Sequence, residues 1–190
     1  MTALGLFAVD RPSQPLRVNR DIAGITDELA KLGVRFEHLS LAAHKVGDRD
    51  SPDILETFEP ELGELRDRWG YRAADVIDVH TVTDDAATLR ATFLREHTHT
   101  DDEARFLVRG TSSFFLHISD EVWRLDCEIG DVLAIPAGIP HWFDAGDRPE
   151  FTTIRLFTDP AGWIAAYTGD TIASLFAVTG ALATLPVPVA

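Results

Sequence analysis

The chain has 190 residues, 45% hydrophobic and 25% charged, a composition that excludes a disordered or collagen-like protein and fits one globular domain. Its formal net charge of -14 makes nucleic acid a poor partner and an anionic membrane surface little better, because both are negatively charged. The one cysteine, Cys127, excludes an intramolecular disulfide and an all-cysteine zinc site.

The two ends of the chain bear on where the protein resides. Residues 1–6 contain neither a basic leader nor a long apolar run, so they do not resemble a signal peptide, and we expect a cytoplasmic protein. Residues 171–190 carry no charge and are long enough to span a bilayer, but threonines and prolines dilute their apolar content. We therefore expect no membrane span, and instead a short helix at residues 171–178 followed by a chain end that lies along the domain.

The first forty residues predict one helix and one extended segment. Residues 21–32 place apolar side chains at helical spacing, with Asp21 as the expected N-cap and Gly33 as the stop. Residues 34–41 have an extended pattern.

A second helix is predicted to follow a capping sequence. Ser51 can cap free backbone amides and Pro52 suits the first turn, and an apolar stripe then continues until Gly70. Residues 74–82 predict a strand, and residues 86–94 predict a short helix.

From His97 onward the pattern changes to short β-rich runs separated by turn residues. These runs are Arg105–Val108, Ser113–Ile118, Val122–Leu125, Val132–Ile135, His141–Phe143 and Phe151–Phe157. Many short strands at this spacing are typical of an antiparallel sandwich or small barrel. Because the chain has no internal repeat and no low-complexity linker, we predict one domain over residues 1–190. In it, residues 1–90 decorate a β-rich core at 91–158, and residues 159–190 form a helical tail.

Three histidines and one glutamate form a pattern typical of a metal site. His97 and His99 lie two positions apart, so an extended chain would present both imidazoles to one point, and a polar turn would return Glu103 toward it. His141 follows a segment with two prolines and a glycine, residues 136–140, which favours a rigid turn at the head of a strand.

The predicted donor set restricts the kind of metal. Imidazoles with one carboxylate suit Fe(II), Ni(II), Mn(II), Zn(II) or Co(II) rather than calcium. Three neutral imidazoles and one carboxylate leave a divalent ion with a net charge near +1. If the ion is octahedral, two positions remain for water, a chelating substrate or oxygen.

The spacing of these residues matches a known signature. It reads His97-x-His99-x3-Glu103-x6-Gly110, followed by Gly130-x5-Pro136-x-Gly138-x2-His141. This resembles the two-part signature of the cupin superfamily, and it implies a mainly β fold: a cupin-type antiparallel barrel, also called a jelly roll, with accessory helices. Ala91 and Ala145 stand where the signature usually has glycine and asparagine, and neither is a ligand position.

Longer stretches narrow the resemblance to the acireductone dioxygenase family. The sequence blocks that carry it are Phe93–Phe106, with Glu-His-Thr-His at its centre, Cys127–Asp131 and Pro136–Asp144, with Pro-His-Trp-Phe-Asp at its end. The similarity covers roughly residues 51–170. The hairpin at 111–113 and the residues Ala104, Ile139 and Ala145 depart from the usual family choices, and these departures touch turns and substrate fit rather than the metal ligands.

The resemblance implies an oxygen-dependent step of methionine salvage. Its substrate would be the acireductone 1,2-dihydroxy-3-keto-5-methylthiopentene, with O2 as the second substrate and one Fe(2+) or Ni(2+) ion per chain. The iron form would yield 4-methylthio-2-oxobutanoate and formate, and the nickel form 3-methylthiopropanoate, formate and carbon monoxide. Filling of such a site depends on metal availability as well as on the ligands, so the sequence does not select between these products. We expect a monomer.

Three polar residues near the predicted ligands are candidates for catalytic roles. Arg105 lies two positions after Glu103, where its guanidinium would stabilise and bind a substrate anion; the alternative is a structural salt bridge to Asp101 or Asp102. Glu96 and Asp102 are candidates to accept an imidazole N–H or a substrate proton, with ordinary solvation as the alternative.

Two aromatic residues are candidates for substrate binding. Phe143 and Trp163 would wall the pocket for the methylthio group, because a thioether packs well on aromatic rings. The alternative is that both belong to the hydrophobic core.

Two rival functions remain open from the sequence. The same four ligands would serve another cupin metalloenzyme, or a non-catalytic cupin that binds a metal or small ligand. A DNA-binding regulator is disfavoured, because the chain has no evident DNA-binding helical unit and its net charge is negative.

Overall fold

The computed structural model describes residues 1–41, 53–79, 86–159, 164–176 and 180–184. Antiparallel strands dominate these residues. In chain order the strands are β1 (Ala3–Ala8), β2 (Arg17–Asn19), β3 (Arg35–His38), β4 (Ala73–Val79), β5 (His97–Thr98), β6 (Glu103–Gly110), β7 (Ser112–Ile118), β8 (Glu121–Cys127), β9 (Asp131–Ile135), β10 (His141–Asp144), β11 (Phe151–Phe157) and β12 (Ala166–Tyr167).

The strands form two sheets that pack face to face. The first has the order β12-β5-β10-β7-β8-β1-β2, and the second has the order β3-β9-β6-β11-β4. One buried apolar cluster joins them, with Leu125 and Phe143 from the first sheet and Leu133 and Phe151 from the second. This arrangement confirms the prediction of a mainly antiparallel, cupin-type fold.

Alternation along the strands divides the apolar residues between the interior and the outer faces. On β7, Phe114 belongs to the cluster between the sheets, whereas its neighbour Phe115 faces the other way and stacks on Trp142 at 5.0 Å between ring centroids. Phe176, from the C-terminal part of the chain, packs against both of these outer rings. The two neighbouring phenylalanines of β7 therefore belong to two separate cores.

Four α-helices are described: α1 (Ile22–Lys31), α2 (Ile54–Thr57), α3 (Glu59–Trp69) and α4 (Ala86–Phe93). The α1 helix begins where predicted, since the Asp21 carboxylate accepts a hydrogen bond of 2.8 Å from the backbone N–H of Gly24. The α3 helix ends at Gly70, whose φ of 81° lies in the left-handed region that favours glycine. The buried side of α3 covers the outer face of the second sheet.

The structure adds one strand that was not predicted and corrects two predicted helices. The N-terminal residues form β1, which pairs with β8 along its whole length, although the sequence predicted no strand there. The single helix predicted after Pro52 is two helices, α2 and α3, while Ser51 and Pro52 lie outside the described residues. Within the described part of the helix predicted at 171–178, which ends at 176, there is a short 3₁₀ helix at Ile172–Leu175, and a second 3₁₀ helix lies at Leu182–Thr184.

The C-terminal residues cover the outer face of the first sheet. Ile172, Ala173, Phe176 and Leu182 are buried in the cluster that also contains Trp142. None of the helices in the described part of the chain has the length and apolar content needed to cross a membrane.

Strand pairing brings separate parts of the sequence to one end of the sheets. On the first sheet, His141 of β10 lies opposite His97 of β5. On the second sheet, Glu103 at the start of β6 lies opposite Ile135 at the end of β9. Strand ends that carry polar side chains therefore meet where the two sheets come together.

Candidate metal centre

Three imidazoles converge at this end of the fold. The ring centroids of His97 and His141 lie 4.5 Å apart, those of His97 and His99 lie 5.1 Å apart, and those of His99 and His141 lie 5.4 Å apart. One ligand nitrogen from each ring lies within 4.8 Å of the other two. All three residues are buried, so the side chains predicted to share a centre are brought together.

Backbone carbonyl groups fix which nitrogen of each ring faces the centre. The Nδ1 atoms of His97 and His141 each lie within hydrogen-bond distance, 2.7 Å and 2.8 Å, of the carbonyl oxygen two residues earlier. The Nδ1 atom of His99 lies 3.3 Å from the carbonyl oxygen of Ile164, which is 65 positions away. An Nδ1–H bonded to a carbonyl leaves Nε2 with its lone pair, which is the form that binds a metal.

Glu103 completes the group from the opposite sheet. Its Oε2 atom lies 3.3 Å from Nε2 of His141 and 3.7 Å from Nε2 of His99, and the residue is only 1% exposed. Its other carboxylate oxygen accepts a hydrogen bond of 2.8 Å from Nε of Arg105. The carboxylate thus has one oxygen held by a cation and one directed at the imidazoles.

The atoms that face this centre lack hydrogen-bond partners. His99 Nε2, His141 Nε2 and Glu103 Oε2 are all fully buried and have no hydrogen-bond partner within the described part of the chain. A buried polar atom without a hydrogen-bond partner costs free energy. Three such atoms directed at one point therefore indicate a binding site for a group that would pair with all of them. A divalent cation fits, because the donors are imidazole nitrogens and a carboxylate oxygen.

The ionisation of these groups suits a metal ligand set. Burial, with the nearby His141, lowers the pKa of His97 to about 4, and burial also lowers the pKa of His99. Burial by itself would raise the pKa of Glu103, but the Arg105 guanidinium and the imidazoles outweigh it and hold that pKa well below its usual range. At neutral pH His97 and His99 are therefore neutral imidazoles and Glu103 is an ionised carboxylate.

Arg105 lies inside the fold beside this group. It is 6% exposed, and its guanidinium carbon lies 5.9 Å from the ring centroids of both Phe114 and Phe143. It forms a salt bridge with Glu103 at 2.8 Å. The alternative raised from the sequence was a salt bridge to Asp101 or Asp102. Among the described residues, Nε is the atom of this guanidinium that has a hydrogen-bond partner.

Glu96 and Asp102 have hydrogen-bond partners other than the imidazoles of the predicted ligands. The Glu96 carboxylate is bonded to Nδ1 of His117 at 2.8 Å and to the hydroxyl of Thr168 at 2.6 Å. The Asp102 carboxylate accepts a hydrogen bond of 2.9 Å from the backbone N–H of Ala137. Glu96 therefore accepts an imidazole N–H, but not that of a predicted ligand, and Asp102 holds the turn before β10.

Comparison with known proteins identifies the family. A profile of the ARD/ARD' family matches residues 15–165. An acireductone dioxygenase of Granulibacter bethesdensis is 44% identical over 176 residues, which cover 93% of this chain and 98% of that protein. The chain belongs to the ARD/ARD' family. The family inferred from the sequence motifs is thereby confirmed, and with it the prediction of an oxidoreductase of this kind.

Other members of the family extend the comparison to structure. An acireductone dioxygenase of Yersinia enterocolitica is 40% identical over 177 residues, covering 93% of this chain and 98% of that protein. The solved acireductone dioxygenase from Bacillus anthracis, which has a cadmium ion in its active centre, superposes with a TM-score of 0.76 and 28% identity. That match covers 88% of this chain and 98% of the other.

Of the two aromatic residues predicted to bind substrate, the structure describes Phe143. Phe143 is 3% exposed and contacts Phe93, Phe114 and Phe151, with ring centroids at 5.8, 5.0 and 4.8 Å. It lies in the apolar core directly below Arg105. Trp163 lies outside the described residues.

Two groups that contact the predicted ligands or their neighbours were not predicted from the sequence. The carbonyl group of Ile164 lies outside the motif blocks, and Thr168 lies in the stretch similar to the family but was given no role. Every residue has a carbonyl, so no sequence signal could have identified Ile164. His117, which is half-buried, has its Nδ1 atom 2.8 Å from Oε2 of Glu96.

Proposed function

We propose that the chain cleaves the acireductone 1,2-dihydroxy-3-keto-5-methylthiopentene with O2, in methionine salvage. The observation that carries this proposal is the convergence of three buried imidazoles and the Glu103 carboxylate, with unpaired Nε2 and Oε2 atoms, in a member of the ARD/ARD' family. In this proposal His97, His99, Glu103 and His141 hold one divalent ion, Fe(2+) or Ni(2+).

The ion, when bound, would supply a Lewis-acidic centre at which the enediol oxygens are chelated and O2 is brought to the substrate. We propose the product sets known for the two metal forms of the family. The iron-loaded chain would form 4-methylthio-2-oxobutanoate and formate, and the nickel-loaded chain 3-methylthiopropanoate, formate and carbon monoxide. In both cases the two atoms of O2 end in the products.

Arg105 is proposed to bind and orient the anionic substrate. Glu103 holds the guanidinium by Nε, so the terminal nitrogens have a fixed direction. The surrounding Phe114 and Phe143 rings keep water away from this cation, and a charge–charge interaction is stronger in such surroundings than in water. A guanidinium placed in this way favours the deprotonated enediol over its neutral form.

Phe143 and Trp163 are proposed to contact the methylthio group. The position of Phe143 beside Arg105 supports the proposal, because an apolar chain extending from a bound enediol would meet aromatic rings there.

The hydrogen bonds that the Glu96 and Asp102 carboxylates accept favour a role in holding neighbouring segments in place over a role in proton transfer. We also propose that residues 1–190 form one domain that acts as a cytoplasmic monomer.

The proposed reaction can be tested directly. Acireductone generated without oxygen should lose its enediol absorbance when iron-loaded protein and O2 are added, faster than with metal-free protein, and product analysis should show formate and the 2-oxo acid. His97→Ala should abolish both bound metal and turnover. Loss of absorbance no faster than the metal-free background would contradict the proposal, and full metal occupancy without turnover would instead favour a binding cupin.

A further inference from the structure

The segment of residues 164–170 lies against the strand that carries His97. Within it, β12 pairs antiparallel with β5, so that Tyr167 lies opposite His97. The guanidinium carbon of Arg95 lies 3.7 Å from the ring centroid of Tyr167, and the backbone N–H of Thr168 donates to the carbonyl of Glu96 at 3.2 Å. The segment therefore extends the first sheet directly beside one of the proposed ligands.

The side chain of Thr168 ties this segment to a buried carboxylate. Its hydroxyl donates a hydrogen bond of 2.6 Å to Oε1 of Glu96, while Nδ1 of His117 lies 2.8 Å from Oε2. Glu96 is 3% exposed, so water has little access to replace either partner. Removing the hydroxyl would leave a buried carboxylate oxygen without its donor, which is unfavourable.

The same segment orients one proposed ligand and not the others. Nδ1 of His99 is paired with the carbonyl of Ile164, whereas His97 and His141 use carbonyls two residues earlier in the chain. Local backbone geometry can hold those two rings. The ring of His99 keeps its partner only while the segment is docked on β5.

We propose that Thr168 is a positioning residue for the metal centre. Its hydrogen bond to Glu96 holds the segment in place, and the segment's Ile164 carbonyl in turn fixes the tautomer and direction of His99. The inference rests on the proposed function, since it takes His99 to be a metal ligand. Partners of this kind, one step behind a ligand, typically change metal affinity 10- to 100-fold.

The first test compares Ni(2+) dissociation constants, measured by chelator competition at a temperature at which every variant is folded. Thr168→Val keeps the shape of the side chain but lacks the hydroxyl, and it should weaken binding about 10- to 100-fold. Thr168→Ser, which retains the hydroxyl, should bind within about threefold of the unmodified chain. The matched control is Thr184→Val, because that hydroxyl donates only to the nearby Ala181 carbonyl on the surface, and it should leave the constant unchanged.

A purely structural role for the hydroxyl would give a different result. Thr168→Val would then lower the thermal midpoint of the metal-free protein and leave the Ni(2+) dissociation constant at the unmodified value, which overturns the inference. Failure of the unmodified chain to bind Ni(2+) would overturn the proposed function as well. Normal binding and turnover in the unmodified chain, with unchanged affinity in Thr168→Val, would overturn only the positioning role.

A second test needs no variant and applies even if Thr168→Val does not fold. Coupling between two sites is reciprocal, so a segment that strengthens metal binding must itself be stabilised by the metal. Hydrogen exchange at the backbone amide of Thr168 should slow at least about tenfold on adding Ni(2+), beyond any slowing in α1. Equal slowing at the two places would overturn the inference.

Discussion

At the scale of single residues, the proposed metal centre depends on the hydrogen bond at Nδ1 of each imidazole. A carbonyl oxygen at Nδ1 leaves Nε2 free in His97, His99 and His141. Burial adds to this, because it disfavours the charged imidazolium and lowers the pKa of His97 to about 4. Metal ligation requires the neutral ring, so hydrogen bonding and burial favour the same state.

Arg105→Lys should separate substrate binding from metal binding. Lysine retains a positive charge beside Glu103 but lacks the planar group with several fixed N–H donors. We expect KM for the acireductone to rise about tenfold, equivalent to about 1.4 kcal/mol, with the Ni(2+) dissociation constant within about threefold of the unmodified chain.

Steady-state kinetics and chelator competition measure these two quantities. The control is Arg72→Lys, since Arg72 is exposed and its backbone N–H, rather than its side chain, bonds Phe157. An unchanged KM in Arg105→Lys would contradict the assigned role.

At the scale of elements, α1 shows how one side chain sets a helix boundary. Replacement of the N-cap Asp21 by alanine removes the acceptor for the Gly24 amide, so the free energy of unfolding should fall by about 1 kcal/mol. Urea denaturation measures this change. Asp27→Ala is the control, because Asp27 is exposed in the middle of the same helix. Equal stability of the two variants would show that Asp21 does not stabilise the helix.

The strands show why some elements were predictable and others were not. Residues 151–157 were predicted as a strand and form β11 with the same boundaries. The N-terminal β1 was missed because apolar residues occupy most of its positions, without the alternation that marks a strand. It forms because β8, more than a hundred residues later, supplies its hydrogen bonds. Pairing across such a distance leaves no local pattern.

At the scale of the whole molecule, metal binding should contribute directly to stability. A ligand that binds only the folded state stabilises it by about 2.7 kcal/mol at one hundred times its dissociation constant. For a chain of this length, that corresponds to a rise of roughly 5 to 10 °C in the thermal midpoint. Calorimetry with Ni(2+) and then with excess chelator measures the rise and its reversal. His97→Ala should show neither, and an equal rise in this variant would indicate binding elsewhere.

Stability at high pH should depend on one buried phenol. Burial raises the pKa of Tyr71 well above its ordinary value, and the negative charge of Asp102 adds to the effect. The folded chain therefore keeps a proton that the unfolded chain loses above about pH 10, so the free energy of unfolding falls as pH rises from there.

Tyr71→Phe removes this titration and should lose less stability than the unmodified chain between about pH 9 and about pH 11. Urea denaturation across that range provides the measurement. Tyr167→Phe serves as the control, since Tyr167 is 42% exposed, and it should retain the steeper loss. The same pH dependence in Tyr71→Phe and in the unmodified chain would refute this assignment.

The sequence by itself determined the class of fold and predicted the donor set of the proposed metal site. Short β-rich runs bounded by turn residues are a local signal, so the strands from β6 to β11 could be inferred from the sequence. The side-chain period of two in an extended chain is local as well, and it gave the common direction of His97 and His99. The tight turn before His141 and the N-cap of α1 are local as well. The motif blocks then indicated the family that the comparisons confirm.

Only the tertiary structure decided what each of these residues contacts. It directed Oε2 of Glu103 at His141, turned Glu96 toward Thr168 instead of a ligand, and gave His99 a carbonyl from 65 residues away. Such contacts depend on strand register and on which segments dock. Register and docking are set by burial and hydrogen bonding summed over distant parts of the chain, which no short stretch of sequence contains.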